Sequence, residues 1–151
     1  MKRKPREANE GVFSNGLGFD VAYQGILISA LVIISYGFGH MFETGAFGFG
    51  GSAHGTTMAF LTLSMAEIFH SFNLRSREKS LFKIKGMNKM LNIAAIVSLA
   101  LTTAVCEIPV LASAFDFTAV GAREYATAAL LGFCVIPVVE VVKLIRRQKN
   151  K

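Results

Sequence analysis

The chain has 151 residues, 52% of them hydrophobic, and its mean hydropathy is +0.47. These values exclude an ordinary soluble domain, because the apolar residues are gathered into runs of about 20, the length that crosses a bilayer core. The net charge of +6 comes from basic residues that flank these runs. Since they form no patch interleaved with aromatic residues, we expect no nucleic-acid partner. The composition therefore predicts an all-α integral membrane protein.

Four apolar segments are long enough to be transmembrane helices. A basic juxtamembrane segment, residues 1–19, precedes them, and residues 148–151 form a short tail. The predicted spans cover residues 21–39, 56–73, 90–112 and 125–145. Between the first two spans, residues 40–55 are rich in glycine and predict a loop. A short turn over residues 113–124 connects the last two spans.

Small residues and prolines mark special points on these predicted helices. Gly25, Ser29 and Ala30 indicate either a strip where another helix approaches closely or ordinary membrane-helix composition. Pro137 is predicted to kink the fourth span. The two cysteines, Cys106 and Cys134, lie inside apolar runs and read as small buried residues, not as a disulfide or metal framework.

The basic residues predict the orientation of the chain. Four precede the first span, six lie between the second and third, and five end the chain, whereas only Arg123 lies on the other side. By the positive-inside rule, both termini and the middle loop are cytoplasmic. We therefore expect a multi-pass membrane protein, in the plasma membrane if the source is bacterial.

Glu67 is the principal candidate for a functional residue. It lies inside the second span, where a charge costs about 2.5–3.5 kcal/mol on insertion scales. Because of this cost, the carboxylate indicates a functional site. The alternative is that it is protonated, or hydrogen-bonded to a neighbouring helix. Glu67 and His70 are three residues apart and share a helical face, which is a weak signal for a carboxylate metal site in a helical bundle.

Other polar residues give weaker signals. In the glycine-rich loop, the three scattered residues His40, Glu43 and His54 could in principle meet at a metal. Glu107, toward the end of the third span, is interpreted as interfacial or paired with another helix. Near the end of the fourth span, a Glu and a Lys three residues apart predict an intrahelical ion pair with a snorkelling lysine, Glu140–Lys143.

The second span and the loop after it resemble the eighth transmembrane helix of P-type cation-transporting ATPases, especially the calcium pumps. The first 18 residues are similar to the loop that enters the seventh helix, and residues 135–147 are similar to the tenth helix. The matching residues of the central motif are Thr57, Met58, Ala59, Phe60, Leu63, Glu67, His70, Phe72, Asn73, Arg75, Ser76, Ser80, Leu81 and Phe82.

The resemblance implies that residues 20–147 are the C-terminal domain of such a pump, which braces the transport helices. It implies that Glu67 is a calcium ligand in an incomplete site, whose other ligands come from helices outside this chain. Calcium would be the transported substrate, although many secretory-pathway relatives carry Gln at the position of Glu67, and the secretory-pathway relatives also handle manganese. Another interpretation is that Glu67 has only a packing role and contacts no ion.

The chain contains no phosphorylation motif and no nucleotide-binding domain. We therefore expect no cofactor in this chain, with ATP and magnesium acting only through other domains, and no enzymatic activity of the chain alone. The expected partners are the lipid bilayer and the remainder of a pump, from a truncated or split gene. The alternative is a free-standing four-helix transporter or regulatory subunit that acts as an oligomer around Glu67.

Overall fold

The computed structural model describes residues 17–74 and 89–149, in which every regular element is an α-helix. The helices in chain order are α1 (Leu17–Thr44), α2 (Ala53–Asn73), α3 (Lys89–Glu107), α4 (Pro109–Ala114), α5 (Ala122–Phe133) and α6 (Val135–Lys149). The predictions for residues 1–16, for the basic loop over residues 75–88 and for the last two residues lie outside the described residues.

Three helical segments of the described chain are long and apolar enough to cross a membrane: Gly18–Thr44, Lys89–Glu107 and Ala122–Ile145. They correspond to the first, third and fourth predicted spans. The remaining helix, α2, has 21 residues and is therefore about 32 Å long, enough to span the bilayer core. Its polar side chains lower its hydropathy, so a crossing by α2 stays a prediction.

The first span is longer than predicted, and the loop after it is shorter. Residues 40–44, assigned to the loop by their polar and glycine-rich context, continue α1. The loop then covers only residues 45–52. It ends at Ser52, which has an extended backbone and whose hydroxyl accepts a hydrogen bond from the Gly55 N–H at 2.8 Å. This N-cap starts α2 three residues before the predicted position.

Prolines set the helix ends in the second half of the chain. The third span ends at Glu107 and not at residue 112, because Ile108 precedes Pro109 and takes an extended conformation. The short helix α4 follows. In the fourth span the position of the predicted kink coincides with a break between α5 and α6 at Cys134. Pro137 has no N–H to donate to the carbonyl four residues earlier, and the proline ring clashes with that carbonyl.

The centre of the bundle is α2, which packs against α1, α3, α5 and α6. Its buried apolar face carries Met58, Leu61 and Met65. Two glycines allow close backbone contact: a Cβ on Gly39 would lie 2.6 Å from the Gly55 Cα, and a Cβ on Gly132 would lie 3.0 Å from the Ala66 nitrogen. At these two contacts α2 packs closely against α1 and α5.

The predicted strip of small residues on the first span makes no such contact. A Cβ on Gly25 would meet nothing within 4 Å, and Ser29 and Ala30 are exposed. Within the described residues the close approach of α1 to α2 occurs at Gly39 instead, because that end of α1 is the one beside the start of α2. The interpretation of a strip at residues 25–30 is therefore wrong for contacts inside this bundle.

Candidate functional site

Glu67 lies on the face of α2 that the bundle does not cover. The adjacent residues Met65 and Ala66 are buried against α5 and α6, whereas Glu67 is exposed. Since successive residues of a helix point about 100° apart, the packing that buries Ala66 turns the next side chain outward. The position of the carboxylate is thus fixed by the tight contact between α2 and Gly132.

The carboxylate borders a groove between α2 and α3 with a volume of about 410 Å³. Hydroxyls line it from both helices, Ser64 and Ser71 from α2 and Ser98 and Thr102 from α3. The other lining residues are Ile68, Leu91, Ala94 and Ala95. Sequence reasoning found Glu67 but missed the hydroxyls of α3, whose spacing of four residues on one helical face is the signal that could have found them.

Glu67 has no tight polar partner in the described part of the chain. It interacts electrostatically with His70, and no described residue donates a hydrogen bond to its carboxylate. The groove therefore offers an anionic oxygen ligand together with neutral hydroxyl oxygens. Hard cations such as Ca²⁺ prefer oxygen ligands of this kind, but they need six to eight of them.

The two weaker metal hypotheses do not hold for the described residues. No group of three or more His, Cys, Asp or Glu side chains among them could hold a metal ion. Glu67 and His70 share a face as predicted, yet they gather no further ligand, and the buried Nδ1 of His70 has no hydrogen-bond partner among the described atoms. The pair is therefore not a complete carboxylate–histidine metal site.

The loop residues expected to share a metal have other partners. His40 Nδ1 lies 2.8 Å from the Ala46 carbonyl, and Glu43 accepts a hydrogen bond from the Ser52 hydroxyl. His54 Nδ1 lies 2.5 Å from a carboxylate oxygen of Glu124. The three residues therefore fix the loop and the start of α2, because each is committed to a hydrogen bond of the fold.

Glu124 is a partner that sequence reasoning missed. Its second carboxylate oxygen accepts a hydrogen bond of 2.5 Å from the Gly121 N–H at the start of α5. One buried side chain thus caps α5 and ties it to His54 at the start of α2. The Gly-x-x-Glu spacing at a helix start is a capping signal, whereas the contact over 70 residues leaves no trace in the sequence.

At the other end of α2, the predicted ion pair is confirmed, with Lys143 Nζ 3.2 Å from Glu140 Oε1. The predicted snorkelling is wrong, because Lys143 is only 6% exposed. Its ammonium donates a second hydrogen bond, of 3.1 Å, to the Asn73 carbonyl at the end of α2. A cation is favourable at that position, where helix carbonyls lack partners. Lys143 therefore joins α6 to the end of α2.

Comparison with known families identifies the origin of this bundle. The family described as "Cation transporting ATPase, C-terminus" matches residues 1–145. This chain belongs to that family. The match extends over all four predicted spans and includes the groove that contains Glu67, so the proposed resemblance to P-type ATPases is confirmed.

Three bacterial relatives align along nearly the whole chain. Calcium-transporting ATPase 1 of Bacillus cereus is 34% identical over 97% of this chain. A calcium-transporting ATPase of Listeria monocytogenes is 28% identical over 98% of it, and one of Bacillus subtilis is 31% identical over 91%. The chain spans 18%, 16% and 15% of these relatives, respectively, less than a fifth of their length.

Much of the motif that resembles the ATPase family has a packing role in this bundle. Thr57 and Met58 are fully buried. The Thr57 hydroxyl accepts a hydrogen bond of 3.0 Å from the Thr118 N–H and donates one to the Ala53 carbonyl. The Phe60 ring packs on Phe117, with 4.7 Å between the ring centroids. In this ATPase C-terminal segment the first half of the motif therefore anchors α2, and Glu67 and Leu63 are the described motif residues that are exposed.

Proposed function

We propose that this chain is the C-terminal membrane module of a calcium-transporting P-type ATPase. Its helices brace the transport helices of the pump, and calcium is the transported substrate. The support for calcium is that the aligned relatives are calcium-transporting ATPases. ATP and magnesium act in this proposal only through domains outside the chain.

Within that module, Glu67 contributes one carboxylate oxygen to a calcium site. The observation that carries this role is the position of Glu67, exposed on the most packed helix and beside a groove lined with hydroxyls. A carboxylate in a membrane helix is costly unless it meets a partner, and the bundle supplies no hydrogen-bond donor for it among the described residues. A cation held jointly with helices outside this chain would satisfy it.

The proposal includes an orientation and two partners. Both termini and the basic loop between α2 and α3 lie in the cytoplasm, as the distribution of Lys and Arg predicts. The partners are the lipid bilayer and the remainder of the ATPase. In a bacterial source the membrane would be the plasma membrane.

A hybrid pump tests both parts of the proposal. This chain replaces the aligned C-terminal segment of the Bacillus cereus relative, and ATP-driven calcium uptake into membrane vesicles is measured. We expect uptake with the unchanged chain and a shift to higher half-saturating calcium with Glu67→Gln. The matched control is Glu107→Gln, which removes an exposed carboxylate at the end of α3. Failure of the unchanged chain to support uptake would contradict the module role, and equal calcium dependence in both variants would contradict the ligand role.

A further inference from the structure

The loop over residues 45–52 folds back along the side of α1. The Phe47 ring lies against Gly37, where an added Cβ would come within 2.3 Å of the ring. Phe49 stacks on Tyr36, with 6.4 Å between the ring centroids, and contacts Phe47 edge to face at 5.6 Å. With Phe38, which meets Phe47 at 5.7 Å, these residues form a cluster of four aromatic rings. We call it the aromatic cluster.

The aromatic cluster is apolar yet poorly covered by the bundle. Phe47 is 52% exposed and Phe49 is 63% exposed. Exposed aromatic area of this size is unfavourable in water by about 25 cal/mol per Å². The neighbouring surface of α1 is also apolar and exposed, including Ile33 and Ile34. The cluster is therefore continuous with the surface that α1 presents as a membrane-crossing helix.

The position of the cluster along α1 fits the boundary between lipid headgroups and acyl chains. The 28 residues of α1 are about 42 Å long, which matches a bilayer with its headgroup regions. Gly37 precedes the end of α1 at Thr44 by seven residues, which is about 10 Å. With α1 centred in the bilayer, the Phe47 ring lies a few ångströms below the headgroup boundary, on the acyl-chain side.

Side chains of α1 already satisfy carbonyls of the loop that would otherwise need water. The Tyr36 hydroxyl donates to the Gly50 carbonyl at 2.7 Å. His40 Nδ1 lies 2.8 Å from the Ala46 carbonyl, and the Thr44 hydroxyl donates to the same carbonyl at 3.3 Å. Irregular backbone is tolerated near the apolar part of a bilayer only where its polar groups have partners. These hydrogen bonds are what a loop at the lipid boundary requires.

We propose that the loop over residues 45–52 is a membrane anchor, in which phospholipid acyl chains next to the glycerol region cover the exposed faces of Phe47 and Phe49. This role is independent of the calcium role proposed for Glu67. Phe47 and Phe49 supply the apolar area for this contact, whereas Tyr36, on which Phe49 stacks, carries the polar hydroxyl typical of interfacial aromatic residues.

Tryptophan fluorescence tests the anchor, because the chain contains no tryptophan. The Phe49→Trp variant of the full chain is reconstituted into vesicles of phosphatidylcholine and phosphatidylglycerol, with lipids brominated either near the glycerol or near the chain end. For side chains about 5–10 Å below the headgroups, we expect shallow bromines to quench about two-fold more strongly than deep ones. Ile33→Trp, near the middle of α1, is the deep control, and Gln148→Trp is the water-facing control.

Two results would overturn the proposal. Acrylamide quenching of Phe49→Trp equal to that of Gln148→Trp would place the loop in water. Protection from both acrylamide and brominated lipid would mean that protein, and not lipid, covers the cluster. Circular dichroism establishes that each variant keeps its helices, and if Phe49→Trp does not, Phe47→Trp is read by the same criteria.

Discussion

Gly39 gives a test of the packing that fixes α2 and hence Glu67. It lies where α1 crosses the start of α2, and a Cβ there would lie 2.6 Å from the Gly55 Cα and 2.7 Å from both the Gly55 nitrogen and the His54 carbonyl oxygen. Carbon atoms in contact are normally about 3.5–4.0 Å apart. In Gly39→Ala the two helices must therefore separate by about 1 Å, because all three obstructing atoms belong to backbone.

The expected cost follows from the nature of these contacts. Overpacking a well-packed core costs about 1–3 kcal/mol, and we expect the upper end for Gly39→Ala because no side chain can rotate away. Gly132→Ala meets the Ala66 nitrogen and the Met65 Cβ at 3.0 Å. It requires about half the movement and should cost about 1–1.5 kcal/mol. Gly25→Ala has nothing within 4 Å and should not lower the free energy of unfolding; the higher helix propensity of Ala should raise it by up to about 1 kcal/mol.

The three alanine variants are compared by unfolding in mixed micelles with increasing sodium dodecyl sulfate. Far-UV circular dichroism reports helix loss, and the midpoints give the differences in free energy of unfolding. The predicted order of stability loss is Gly39→Ala, then Gly132→Ala, whereas Gly25→Ala should be as stable as the unchanged protein or slightly more stable. Equal effects at positions 39 and 25 would refute the reasoning, since the two substitutions differ only in their surroundings.

Three further predictions address the polar contacts. Lys143→Met removes the hydrogen bonds that the buried ammonium donates to Asn73 and Glu140. It should lower the free energy of unfolding by about 2 kcal/mol in the same detergent titration. An unchanged midpoint would contradict a stabilising role of these two hydrogen bonds. Glu124→Ala loses both the α5 cap and the contact with His54, and should lower the free energy of unfolding by about 1–2 kcal/mol. Glu124→Gln keeps an oxygen for the cap and should lose roughly half as much. Equal losses in the two variants would argue against the cap. The isolated chain should bind calcium more weakly than about 1 mM in a calorimetric titration, because its described residues complete no site; micromolar binding would show a full ligand set.

Apolar runs were sufficient to predict the three described helical segments that are long and apolar enough to cross a membrane, but not where these helices end. The first span continues past Gly39, and the loop folds back so that Ala46 bonds to the side chains of His40 and Thr44, a contact that a polar, glycine-rich sequence does not reveal. The early end of the third span, at Glu107, was available from the sequence, since the residue before Pro109 disfavours a helical backbone.

The candidate site was only half visible in the sequence. Glu67 stands out because a carboxylate in an apolar run is rare, whereas the groove that it borders depends on how α3 lies against α2. Small residues were equally ambiguous. Composition does not distinguish Gly25, which faces open space, from Gly39 and Gly132, which contact backbone. Only the packing of the bundle determines which glycine allows two helices to approach closely.

The most direct test of the central claim is equilibrium binding of radioactive calcium to the hybrid pump in the absence of ATP. The account predicts that Glu67→Gln weakens calcium affinity at least about ten-fold, as expected when a charged ligand is lost, while Glu107→Gln leaves it unchanged. The same affinity and stoichiometry in the Glu67→Gln pump as in the unchanged pump would contradict the claim, and Glu67 would then have only a packing role.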